Sequence, residues 1–140
     1  MCFFDIVNTA IGAFLGFVFG YLLEMIIESK KRQNSIKNLK IELNDILNTL
    51  KNHKNNKCVL NDYHTPIWEA VKGSGDILSY IKKPYYEQLI IVYSKIENLQ
   101  DIEKNADEND VNFEHVMKKI VKKRNDTYKA LVELNVNSLE

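Results

Sequence analysis

The chain has little of what a disulfide-stapled domain, a metalloenzyme or a nucleotide-binding fold is built on. Its two cysteines, Cys2 and Cys58, lie far apart with no C-x-x-C spacing, so neither a disulfide framework nor a zinc site is indicated. His53, His64 and His115 are each isolated, which leaves no metal ligand set, and no metal ion or other cofactor is expected. No P-loop, G-x-G-x-x-G or G-x-S-x-G occurs, and Gly73-Ser74-Gly75 lacks the lysine that a phosphate-binding turn requires. With no catalytic constellation in view, the chain reads as a non-enzyme.

Excess charge of one sign is also missing. Lys and Arg number 19 against 19 Asp and Glu, and residues 30–140 carry 19 basic against 16 acidic side chains. So small a surplus argues against nucleic acid as a partner. Asn is frequent but spread out, which is no low-complexity signal; the Lys, Asn and Ile usage reads as that of an AT-rich prokaryotic genome. At 140 residues, one modest helical domain and one anchor fit, and two domains do not.

What the chain does have is a long uncharged run. Ile6 to Leu23 carries no charge, and Ile26 and Ile27 continue the run past Glu24. The stretch makes ~33 Å of helix at ~1.5 Å per residue, enough for a hydrocarbon core of about 30 Å. Glu24 falls close to one boundary, where its carboxylate reaches the headgroups. The start Met-Cys-Phe-Phe-Asp has no basic n-region and no small-x-small site follows, so a retained span is expected in place of a cleaved signal peptide. Lys30, Lys31 and Arg32 follow the span and nothing basic precedes it, which by the positive-inside rule puts the N-terminus outside the cell membrane and the rest in the cytoplasm. Residues 1–28 are thus expected as a single-pass transmembrane anchor in the lipid bilayer and 29–140 as a cytoplasmic helical bundle.

Gly12, Gly16 and Gly20 recur every four residues and share one helix face, which lets a second backbone approach closely. This glycine zipper points to a homo-oligomer formed through the transmembrane helix. Beyond the span, Ile36, Leu39, Leu43, Ile46 and Leu50 alternate steps of three and four, and no Pro or Gly separates this amphipathic helix from the anchor. After Asn55-Asn56-Lys57, Thr65 as N-cap and Pro66 as first residue open a short helix that Gly73-Ser74-Gly75 stops, and a second short helix is expected around Ile77, Leu78 and Ile81. Pro84 begins a helix marked by Tyr85, Leu89, Val92, Ile96 and Leu99, broadened by Tyr86, Ile90, Tyr93 and Ile102. Asn112 is the candidate N-cap of a last helix with Phe113, Met117, Ile120, Leu131 and Leu134, ending near Asn135. No strand alternation appears. The fold class is therefore all-α: an N-terminal transmembrane helix followed by three long helices and a short broken helical hairpin.

The run from Trp68 to Leu78, WEAVKGSGDIL, followed by Tyr85-Tyr86, Leu89, Tyr93, Ile96 and Asn98, resembles a pattern in small uncharacterised bacterial and archaeal membrane proteins. Those have one or two spans and a helical cytoplasmic part with a Trp, a Ser-Gly and a Leu-x-x-x-Tyr-x-x-Ile stretch. The resemblance covers about a quarter of the chain. Some such proteins are similar to membrane components of prokaryotic defence systems. It implies an alternative role as a membrane-permeabilising effector or as the membrane part of a defence or toxin system. Read from the residues alone, the same positions form core and turns; were there a pocket, it would lie beside Trp68, Ser74, Tyr86 and Tyr93.

Lys118, Lys119, Lys122, Lys123 and Arg124 form the densest basic cluster, with i,i+4 spacing that makes a candidate partner surface. The principal expectation is a self-associating, membrane-tethered module that presents its bundle to a cytoplasmic protein.

Overall fold

The computed structural model describes residues 2–60, 63–75, 81, 83–106 and 111–135, with side chains from Asn8 onward and excluding that of Ser74. Four helices make up the described chain, and no strand occurs among these residues: α1 (Cys2–His53), α2 (Pro66–Ser74), α3 (Lys83–Lys104) and α4 (Phe113–Leu134). The chain divides into two units, residues 1–34 and 35–140.

In the first unit, α1 carries its apolar side chains on every side. Phe14, Phe17 and Phe19 are 66%, 75% and 62% exposed, and Ile11, Leu15, Leu22, Leu23, Ile26 and Ile27 are exposed as well. None of the most apolar window is buried, and among the described residues this is the one helix long and apolar enough to cross a membrane. A helix suits such a stretch because it satisfies its own backbone groups, which lipid cannot do.

In the second unit, burial begins at Ser35 and Ile36, which are half-buried. Leu39, Leu43, Ile46 and Leu50 of α1 meet Leu89, Val92, Ile96 and Leu99 of α3 and Met117, Ile120, Leu131 and Leu134 of α4 in one core. Each fully buried Leu or Ile contributes about 1.5–3 kcal/mol. The helices α3 and α4 are antiparallel, since Glu103 meets Arg124 while Asn98 and Ser94 lie beside Lys123 and Thr127. The α1 stretch runs in the same direction as α3: Glu42 faces Tyr93, and the His53 carbonyl reaches the Arg124 guanidinium that also holds Glu103.

Proline and left-handed residues set the helix ends. Pro66 occupies the first turn of α2, and Gly75, at φ 67°, closes it by donating its N–H to the Val71 carbonyl at 3.3 Å. Asn135, at φ 47°, ends α4 in the same left-handed conformation. The second short helix expected around Ile77 and Leu78 lies outside the described residues; Ile81 beyond it is buried. Ile90, expected to broaden the buried face of α3, is instead 42% exposed. The buried row there follows Leu89, Val92, Tyr93 and Ile96, and Ile90 falls off its edge.

Candidate functional site

Two buried carboxylates organise residues 35–140. Glu42, on the polar flank of the α1 stripe, accepts hydrogen bonds from the Ile67 amide at 2.7 Å, the Trp68 amide at 3.2 Å and the Tyr93 hydroxyl at 2.7 Å. Ile67 and Trp68 are the second and third residues of α2, the positions whose amides a capping side chain usually satisfies. Thr65 stands at the N-cap position but makes no side-chain capping bond, so Glu42 caps α2 from a different helix. The Trp68 ring stacks on that of Tyr93 at 4.2 Å and 2°, which fixes the donor that completes the Glu42 site.

Glu103, fully buried at the end of α3, receives Arg124 from α4 in a two-pronged pair, Nε to Oε1 and Nη2 to Oε2, both at 2.8 Å. It also accepts the Leu60 amide at 2.7 Å and the Tyr63 hydroxyl at 3.1 Å. Arg124 spends its other donors on the carbonyls of His53 (3.3 Å), Asn56 (2.9 Å) and Cys58 (2.7 Å), so all five N–H groups of the guanidinium are used. Gln100 adds a bond to the Tyr63 carbonyl. Loss of solvation opposes the charge on Arg124, but the hydrogen bonds and charge of its partners outweigh it and raise its pKa. Between them, the two carboxylates fasten both ends of the segment that returns from α1 to α2.

Both tyrosines are held neutral. Burial, and then the Glu103 charge, push the Tyr63 hydroxyl above the ordinary tyrosine range, and burial with the Glu42 hydrogen bond does the same at Tyr93. In the unfolded chain these groups release protons near pH ~10, whereas the folded chain retains them, so stability is complete below that pH and falls as pH rises above it. Helical circular dichroism of the full chain in neutral detergent is expected to collapse above pH ~10, and Tyr93→Phe to shallow that fall. An unchanged alkaline limb in the Tyr93→Phe variant would contradict this assignment.

No family model, curated protein or solved structure matches the chain. Its surfaces must be read from their own chemistry. A Cβ added at Gly12, Gly16 or Gly20 would meet nothing within 4 Å, so the glycine face is open in the protomer. Trp68, Tyr86 and Tyr93 line a small cavity of about 180 Å³ together with Lys72, Ile90 and Glu97; the Ser74 side chain lies outside the described residues. In that cavity Lys72 pairs with Glu97 at 3.5 Å.

The basic cluster of α4 is divided. Lys118, Lys119 and Lys122 are exposed and Lys123 is half-buried, with Lys118 3.4 Å from Glu114. Arg124 is not part of that surface. It lies on the opposite side of the helix, fully buried, because its charge is matched by Glu103 and its remaining donors by backbone carbonyls. Among the described residues no group of three or more His, Cys, Asp or Glu is placed to hold a metal ion. A groove of about 550 Å³ opens between α1 and the residues leading into α2, lined by Ile41, Glu42, Asp45, Ile46, His64 and Ile67 among others.

Proposed function

We propose that the chain is a non-enzymatic, membrane-tethered interaction protein. Its N-terminal helix is held in the cell membrane and self-associates through Gly12, Gly16 and Gly20, and its helical bundle is offered to a protein partner in the cytoplasm. The observation that carries this reading is the apolar surface from Ile11 to Ile27, exposed on all sides of α1. Soluble monomers rarely expose a contiguous apolar patch larger than about a few hundred Å², and a bilayer is the solvent that covers a single apolar helix on all sides. Lys30, Lys31 and Arg32 immediately after it support a cytoplasmic bundle.

Fractionation of membranes tests the anchoring. The glycine contact is tested by Gly16→Ile: a side chain there has room within the protomer, so the variant keeps its helix and loses only the close approach of a second backbone. Oligomers in a transmembrane association assay are expected to fall at least tenfold, a coupling of about 1.4 kcal/mol. Association equal to that of the parent chain would remove the zipper from the account.

A further inference from the structure

The two buried carboxylates are not treated alike. Glu103 has a guanidinium across it, whereas Glu42, only 7% exposed, is held by three neutral donors and pairs with no lysine or arginine among the described residues. Charged carboxylates that deep are ordinarily paired. The N-terminus of α2 offsets part of the charge, with the equivalent of ~0.5 of a positive charge. Glu42 is also, with Ile46, one of the two buried members of the groove lining. Asp45, one turn further along α1, lines the same groove, is exposed, and makes no hydrogen bond or ion pair among the described residues. No lysine or arginine lines that groove, and Ile41, Ile46, Pro66 and Ile67 supply its apolar part.

We propose that this groove binds a primary ammonium group on an aliphatic stem, with the charge shared by Glu42 and Asp45 and the stem laid along the isoleucines. The hydrogen-bond inventory favours ammonium over guanidinium. Oε1 of Glu42 already accepts from Trp68 and Tyr93, and Oε2 accepts only from Ile67, so Glu42 has about one acceptor position left. The two-pronged pairing that a guanidinium prefers takes both oxygens of one carboxylate, while an ammonium gives a single bond to each of two. The apolar lining argues for a cation that carries a hydrocarbon stem and against a bare metal ion. The same chemistry arrives as a free polyamine or as a lysine side chain of a protein.

The test is methyl NMR of the full chain, isoleucine-labelled, in nanodiscs of zwitterionic lipid, titrated with n-butylammonium, 1-butanol, spermidine, a short lysine peptide and its acetyl-lysine counterpart. Butylammonium is expected to shift the Ile41, Ile46 and Ile67 methyls saturably and butanol is not, with Asp45→Asn weakening binding about tenfold while the rest of the spectrum stays put. Tighter binding of the lysine peptide than of spermidine and of the acetylated peptide assigns the site to a protein's lysine; tighter spermidine binding assigns it to a polyamine. Absence of saturable shifts, equal shifts with butanol, or an Asp45→Asn variant that binds like the parent would overturn the proposal.

Discussion

Arg124→Met is expected to cost the helical bundle about 3–5 kcal/mol, because it strands the fully buried Glu103 carboxylate without its cation. That is much of the ~5–15 kcal/mol by which a domain of this kind is usually stable. The fluorescence of the one tryptophan, Trp68, stacked on Tyr93 in the core, reports the loss directly in a urea titration of the full chain in mild detergent. Replacing both partners by apolar residues often restores a buried ion pair's stability or improves on it. Here Glu103→Leu with Arg124→Met is expected to recover less than half of it. The double variant still leaves the Leu60 amide, the Tyr63 hydroxyl and the carbonyls of Asn56 and Cys58 without partners, at about 1–3 kcal/mol for each that stays dry. Full recovery would mean that the pair is a simple salt bridge and does not fasten the connecting segment.

Glu42→Ala carries the second large effect, about 2–4 kcal/mol, since the amides of Ile67 and Trp68 and the hydroxyl of Tyr93 all lose their acceptor. Thr65→Ala, which at an ordinary N-cap would cost ~0.5–2 kcal/mol, is expected to be nearly silent because the Thr65 side chain makes no capping bond. Glu42→Gln should fall between, keeping one acceptor oxygen. Urea midpoints for the three variants order the effects. A Thr65→Ala loss as large as that of Glu42→Ala would show that α2 is capped locally after all.

The apolar framework was legible in the residue spacing. Leu39, Leu43, Ile46 and Leu50, and then Leu89, Val92, Ile96 and Leu99, follow alternating steps of three and four and are buried as that spacing requires. Polar members of the same rows were harder to read. Glu103 continues the α3 row four residues after Leu99, and Arg124 and Thr127 fill the α4 row between Ile120 and Leu131. A reading keyed to apolar residues skips these positions, and it placed Arg124 among the surface cations. The phase of the rows alone would have shown that Arg124 and Glu103 face the core, and two opposite charges in core phase on adjacent helices predict a pair. Nothing local marks Glu42 as the cap of α2, because its donors lie 25 to 51 residues away along the chain. Neither the groove nor the pinned connecting segment has any periodicity to betray it.

In the proposed arrangement the apolar part of α1 resides in a bilayer with the bundle on the cytoplasmic side. The most direct measurement uses a Cys2→Ser form, in which the exposed Cys58 is the remaining thiol. Intact cells are treated with a membrane-impermeant maleimide, and their membranes are then washed with alkaline carbonate and sedimented. The chain should pellet at its full mass, with Cys58 labelled only after the cells are permeabilised. Recovery of the intact chain in the supernatant, loss of its first residues, or labelling of Cys58 in unbroken cells would contradict the account.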